Sequence, residues 1–365
     1  MTAPYDLRCE HVPFPLLVPR DTPRFSWKLR GDRRGAVQRA YRLEVREAVA
    51  HIDDPSAETL ETYPIVWDSG RIASSDSSLV PYAGDPLKAG GLYVWRVQVW
   101  DDDVSRISAP AHFGVEIDGL AGDWIQKPTH TTYQSPVGRA KGEETEAYAV
   151  YLRRELSLAE TPVRAVAYVC GLGAYQLSLN GRTVNDSLLD PGQTDYARFA
   201  LYQAYDVTDY IESITVVGVV LGNGRYIRAY DYDFPKLMFE LRVFYEDGRV
   251  DTFASGEGWA ASHGPIRENG IFFGERYDAR EVLDGWNRPG YDQSAWEQAV
   301  VVDGPEVRPG HVQPIRVTDR LAPTRMYRTA DNTYVYDFGQ NIAGWARLTV
   351  EAPAASNDLM EFRVD

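Results

Sequence analysis

GLGAYQLSLNGRTVNDSLLDPGQTDYARFALYQAYDVTDYIESITVVGVVLGNGRYIR, residues 171–228, holds the pattern that decides the fold. It opens with an alternating run, Ala174-Tyr175-Gln176-Leu177-Ser178-Leu179, that meets Asn180-Gly181. Asn and Gly both tolerate the positive φ of a type I′ turn, so this pair predicts a two-residue hairpin. A polar bend follows at Leu189-Asp190-Pro191-Gly192-Gln193-Thr194-Asp195-Tyr196, and an apolar run from Ile214 to Leu221 breaks at Gly222-Asn223-Gly224-Arg225-Tyr226. Two apolar strands, each ending in an Asn-Gly corner, are the framework of a β-sandwich whose loops carry amides, carboxylates and aromatic rings. Such groups suit a sugar.

The same alternation recurs on both sides. Upstream, Phe25-Ser26-Trp27, Tyr41–Val45 and Tyr93–Trp100 have period two, which places Tyr93, Trp95, Val97 and Val99 on one face. Residues 1–118 therefore read as a first sandwich, and Asp118 to Gly122 as a linker. Residues 119–306 read as a second. Its strands are Tyr148–Leu152, Val163–Tyr168, the opening stretch and Leu237–Tyr245, closed by a hairpin at Glu246-Asp247-Gly248-Arg249 and ended by a short helical turn over Asp292–Ala299. Polar sequence over 129–146 predicts a mobile surface loop. Val307 to Arg320 reads as a Pro-interrupted connector. Residues 333–338, 345–350 and 359–364 then start a third β domain that the 365 residues leave incomplete. The expected fold class is all-β, as tandem sandwiches.

Composition narrows the function. A net charge of −15 is wrong for phosphate-rich nucleic acid and for anionic membrane. Aromatic residues make up 12% of the chain, a richness that sugar sites and all-β cores share. Cys9 and Cys170, the two cysteines, have no CxxC spacing, which points to free thiols in a reducing compartment. The N-terminus lacks a basic leader with a long apolar core, so the expected location is the cytoplasm. The six histidines have no metal-ligand spacing, and no Gly-x-Ser-x-Gly, P-loop or dinucleotide fingerprint occurs.

LSLNGRTVND, LLDPGQTDYARF, YDVTDYI and LGNGRY, in this order and spacing, resemble the N-terminal region of bacterial α-L-rhamnosidases, glycoside hydrolase family 78. WDSGRIASSDSSLVPYAGDPLKAGGLYVWRVQVWD, FFGERYDAR and YDFGQNIAGWARLTV extend the resemblance over nearly the whole chain. It implies a fibronectin type III-like sandwich followed by a jelly-roll-like one. The implied activity is hydrolysis of terminal non-reducing α-L-rhamnosides with inversion, by two carboxyl groups roughly 6.5–9.5 Å apart. In the family both acids belong to a following (α/α)6 barrel. Its Asp-Arg-Asp-Glu signature does not occur here, so no catalytic residue is assigned and the chain is expected to be inactive alone. The implied partners are rhamnose-containing glycosides and that catalytic barrel.

Some relatives use the second domain as a carbohydrate-binding module of family 67, which holds rhamnose with the help of calcium. The pattern maps to Asn180 and Asn223. The calcium-binding version places an Asp before the first Asn, where this chain has Leu179, whose side chain offers no oxygen. No cofactor is therefore required, and a calcium ion would rest on Asn180 and Asn223. Both asparagines are also ordinary turn residues. Asp190 and Asp195 flank Pro191-Gly192 and are candidates for sugar hydroxyls, or for turn initiation. In RYIRAYDYDF, Tyr226, Tyr230, Tyr232 and Phe234 form an aromatic platform beside Asp231 and Asp233, with Arg225 next to it, or else an interdomain surface. A standalone rhamnose-binding module and a purely structural sandwich tandem are the alternative functions.

Overall fold

The computed structural model describes residues 3–31, 37–48, 57–101, 104–128, 148–184, 186–226, 232–271, 274–329, 333–347 and 349. It divides into two compact units, residues 1–314 and 315–365. Nearly all of the regular structure is strand. The predicted loop over 129–146, the middle of the Asp101–Asp103 run and the strand at 359–364 lie outside the described residues.

The first sandwich stacks a three-stranded sheet (Tyr5–Cys9, Arg24–Lys28, Val80–Pro81) on a five-stranded one. The five-stranded sheet is built on Leu92–Asp101, which pairs along its length with Ala40–Ala48. Period two sets its faces. Tyr93, Trp95, Val97 and Val99 enter the core with Phe25, Trp27 and Phe113. Leu92 and Val94 point the other way, against Leu60 of the short helix Ala57–Thr62. Beside them Glu44, Arg46, Arg96 and Glu61 alternate in sign and tie that helix to the sheet.

The second sandwich has a six-stranded sheet and a seven-stranded sheet. In the first, Ala174–Leu179 and Val150–Ser157 flank Ile214–Gly222. In the second, Lys236–Phe244 and Phe199–Asp206 flank Arg164–Leu172. Asn180 (φ 50°) and Gly181 (φ 80°) make the predicted hairpin, with Leu179 opposite Arg182. Alternate residues fill the space between the sheets: Ala165, Ala167 and Val169 against Leu177, Val217, Val219 and Leu221.

Both sheets are covered on their outer faces too. Val166, Tyr168, Cys170 and Leu172 point away from the central core and join Tyr202, Trp124, Leu17 and Ile117 in another cluster. Leu17 and Ile117 come from the first sandwich, so the two sandwiches share a core. Several polar groups caught in this interface are paired, although Arg164 Nε and Tyr196 Oη are buried without a hydrogen-bond partner among the described residues. Tyr202 Oη donates to the Ile117 carbonyl at 3.3 Å. Arg164 donates to the Gly90 carbonyl at 3.2 Å and lies over the Phe244 ring. Gly90 has φ 68°, which favours glycine, and a Cβ there would sit 3.1 Å from Ile117 Cγ2, a tight contact. Glu240 is fully buried; Arg242 and the Ala121 amide both donate to its carboxylate.

On the opposite side, the segment that holds Trp286 and Asn287 lies across the outer face of the six-stranded sheet. Trp286 packs edge-on against Tyr151, and Asn287 Nδ2 donates to Ser178 Oγ at 2.9 Å. A Cβ on Gly218 would come within 2.7 Å of the Asn287 side chain, so this mid-strand glycine makes room for the cover. The expected helical turn over 292–299 is instead a tight turn at Gln293–Trp296 followed by the strand Glu297–Gln298. Residues 297–298 are used to extend the sheet beside Ala260–Ala261. The expected connector likewise begins as a strand: Glu306–Pro309 runs parallel to Phe199–Tyr202 at the sheet edge. An edge tolerates Pro309 because its outward side has no partner to bond. In residues 315–365, Tyr334–Asp337 pairs with Arg325–Arg328, and residues 345–347 form no strand.

Two tests follow from this packing. Glu240→Ala should lower the unfolding free energy by about 3 kcal/mol, because it strands Arg242 and the Ala121 amide in the shared interface; a urea titration of both proteins measures it. Cys9 and Cys170 are buried, and desolvation pushes both thiols well above their usual range. A thiol reagent should therefore label neither in the native protein and both in denaturant.

Candidate functional site

The strand register decides which of the candidate residues can act together. Ala174 pairs with Gly222, and Leu179 with Val217. Asn180 follows Leu179 and Asn223 follows Gly222, so the two asparagines leave the pair at opposite ends. Asn180 is level with Val216, so seven strand steps of about 3.3 Å put the asparagines roughly 23 Å apart along the strands. Calcium–oxygen bonds are about 2.3–2.6 Å, so one ion cannot use both. This corrects the shared Asn180–Asn223 metal site.

Each asparagine is also occupied. Asn180 Nδ2 donates to the Tyr210 carbonyl at 3.1 Å, while its Oδ1 accepts from the Val216 amide at 2.8 Å. The side chain thereby bolts the hairpin to the short 3₁₀ turn Thr208–Tyr210 and the strand after it. At the other end Asn223 is buried. Its amide donates to Asn269 Oδ1 at 2.6 Å, and its Nδ2 donates to the Asn269 carbonyl at 3.2 Å. Asn269 belongs to the hairpin Ile266–Gly270/Gly274–Tyr277, which closes this corner from outside. From inside, a Cβ on Gly173 would lie 2.0 Å from the Gly222 carbonyl oxygen. Among the described residues no three His, Cys, Asp or Glu side chains converge as a metal site. The residues present do not fit calcium.

Asp190 is buried at the Asn223 end. Its Oδ2 accepts from Tyr205 Oη at 2.8 Å and from the Ser187 hydroxyl, and Tyr205 Oη lies 2.7 Å from Tyr175 Oη. Burial, then the nearby Asp190 carboxylate, push the Tyr205 phenol far above its usual range. Asp195 is exposed and starts a turn, with its Oδ1 accepting from the Ala197 amide at 3.2 Å. Asp233 pairs with Lys236 at 3.3 Å. Tyr230 and Asp231 lie outside the described residues.

The aromatic platform is an interior cluster. Tyr226 stacks on Tyr232 with centroids 5.4 Å apart, and Tyr196 meets both rings edge-on. Tyr226 and Tyr196 are buried in the core shared by the two sandwiches, and Tyr232 packs against it. Burial pushes the Tyr196 and Tyr226 phenols up to about 12. Arg225 is half-buried, and its positive charge partly offsets the rise at Tyr196. Burial inside the shared core, not stacking, is what keeps the Tyr196 and Tyr226 rings from a sugar. The groups that sequence reasoning missed are Asn269, Tyr175 and Tyr205. Asn269 stands just before the FFGERYDAR motif, so that motif was the available signal.

Three family models match in series. A Rha78A-like N-terminal immunoglobulin domain covers residues 4–117, an α-L-rhamnosidase N-terminal domain 160–319, and a bacterial α-L-rhamnosidase concanavalin-like domain 327–362. The chain belongs to the α-L-rhamnosidase family, to its N-terminal region. It is 33% identical to an α-L-rhamnosidase of Formosa agariphila over 92% of this chain and 38% of that protein. The solved α-L-rhamnosidase of Dictyoglumus thermophilum superposes with a TM-score of 0.80 at 38% identity, over 93% of this chain and 39% of that one. That of Streptomyces avermitilis, solved with L-rhamnose, shares the fold at 23% identity and a TM-score of 0.80, over 93% of this chain and 49% of its own. The chain thus spans less than two-fifths of the Formosa relative.

Calcium tests the closed corners. An ion bound at a hundred times its dissociation constant would add about 2.7 kcal/mol to stability. We expect millimolar calcium and EDTA to leave the melting temperature of residues 1–365 unchanged; a calcium-dependent rise would restore the metal site.

Proposed function

We propose that residues 1–365 are the accessory region of an α-L-rhamnosidase that hydrolyses terminal non-reducing α-L-rhamnosides with inversion, and that the acids that break the bond lie outside these residues. The observation that carries this is the run of three rhamnosidase domain matches in order along the chain, against relatives of which it spans 38% and 36%. The substrates are rhamnose-containing glycosides. The two unlinked thiols support a cytoplasmic setting.

Electrostatics favours the same division of labour. An inverting glycosidase needs one carboxyl kept protonated as acid and one ionised base across a water. Most described carboxylates with a displaced pKa are displaced downward. Arg42 holds Asp68 down, Arg280 holds Asp278, Arg267 holds Glu281 and Arg308 holds Glu306. These are ion pairs that keep the acids charged. Glu275, on the strand Gly274–Tyr277, is pushed up by desolvation. One such group supplies only half of the machinery.

The two sandwiches share a core and form one compact unit on which a catalytic domain can be braced. The assay is direct: residues 1–365 with p-nitrophenyl α-L-rhamnoside should release no nitrophenol above the buffer rate. Turnover by this chain alone overturns the proposal.

A further inference from the structure

We propose that an open groove of about 510 Å³ at the end of the second sandwich, beside the Ile266–Tyr277 hairpin, binds a neutral pyranose. Its volume lies within the roughly 300–1,000 Å³ of small-molecule sites, room for one or two sugar rings. The ligand class comes from the groove's own lining. Only the choice of rhamnose as first probe rests on the rhamnosidase reading.

Tyr148 and His263 line one part of the groove, their rings stacked 9° from parallel with centroids 4.6 Å apart. A rigid aromatic pair presents apolar surface of the kind that packs on sugar C–H groups. Gly264 continues this wall. A Cβ there would stand 2.7 Å from the Tyr151 ring, so the backbone lies close against that ring. Val282 and Leu283 add aliphatic surface, and Val282 is 43% exposed.

Arg280 and Glu281 line the groove. Arg280 makes two side-chain bonds to Asp278, at 2.8 and 2.5 Å, and Arg267 is bound to Glu281. Two guanidinium groups and two carboxylates cancel, so the cluster attracts neither an anion nor a cation strongly. A guanidinium has five N–H groups, and Arg280 spends two of them on Asp278, which leaves donors for a ligand. Its side chain is 86% exposed. A sugar hydroxyl both donates and accepts, and adjacent hydroxyls match alternating guanidinium and carboxylate groups. A neutral diol beside an apolar ring face answers this lining. Phosphate or a metal ion does not.

The groove is separate from the corners discussed above. Asn180 is at the far end of the sandwich, and Asn223 is sealed by Asn269.

Calorimetric titration of residues 1–365 with methyl α-L-rhamnoside tests the proposal, with methyl α-D-glucoside and sodium glucuronate as comparisons. We expect saturable binding of a neutral glycoside at about millimolar strength, the weak end of specific affinity. Arg280→Ala should weaken it at least about tenfold, the loss of one charge-assisted hydrogen bond. Because Arg280 is exposed, circular dichroism and the melting temperature should not change. His263→Ala, which removes half of the ring stack, should weaken it as well, and Asn180→Ala should not. No saturation by either neutral glycoside, tighter binding of glucuronate, or binding indifferent to Arg280→Ala and His263→Ala would each overturn the site. The nitrophenyl assay reads the rhamnosidase proposal separately: binding without turnover leaves both standing, and turnover without binding removes both.

Discussion

The strand Arg164–Leu172 is buried at every one of its nine positions, and this demand shapes residues 1–314. A strand dry on both faces needs two covers. One is the partner sheet, against which the small residues Ala165 and Ala167 and the larger Val169 pack. The other must hide Val166, Tyr168, Cys170 and Leu172, and it is built from Trp124, Tyr202 and the first sandwich. Hydrophobic burial at about 25 cal/mol per Å² makes leaving such a face in water expensive. Glu240 and Tyr202 are tolerable in the contact because they are matched: Glu240 by Arg242 and the Ala121 amide, Tyr202 by the Ile117 carbonyl. The association of the two sandwiches is thus a packing requirement of one strand, and it makes them a single folded unit.

Local features were legible because their causes are local. Asn180-Gly181 turns the chain since both residues accept positive φ, and the alternation from Tyr93 to Val99 places a face since strand geometry has period two. The all-β class and the strand segments follow from these signals. The coverings are a different matter. A fully apolar run such as Ala165–Cys170 carries no record of what lies on each side, and the segment around Trp286 and Asn287 shows no strand period. Gly218 was the available hint, because a glycine inside a buried strand marks a close approach.

The candidate site was less legible, and for a geometric reason. Two similar Asn-Gly corners look equivalent in the sequence. Once Ala174–Leu179 and Ile214–Gly222 are antiparallel neighbours, corners at their C-terminal ends must fall on opposite sides of the sandwich. Pairing decides this, and no residue type does. The Tyr226–Tyr232 cluster was open in the same way. Density of aromatic residues marks either a surface for ligands or a core, and the rings at Tyr196, Tyr226 and Tyr232 chose one another.

Side chains at the two kinds of place differ in what they have left to give. An asparagine has one carbonyl and two N–H groups, and the backbone of a turn readily absorbs them. Asn180 bridges Tyr210 and Val216, and Asn223 is engaged with Asn269. Buried Asp190 likewise serves Tyr205 and Ser187. Holding loops is what these groups do, and a ligand would have to break the loop to reach them. An exposed bidentate ion pair is in the opposite position: the Arg280–Asp278 bond fixes the guanidinium plane while leaving N–H groups in water. A fixed orientation with spare donors lowers the entropy lost on binding without first breaking anything in the fold. On this ground the paired charges around the groove, rather than the turn amides that resemble ligands in the sequence, are where the second sandwich has chemistry to offer.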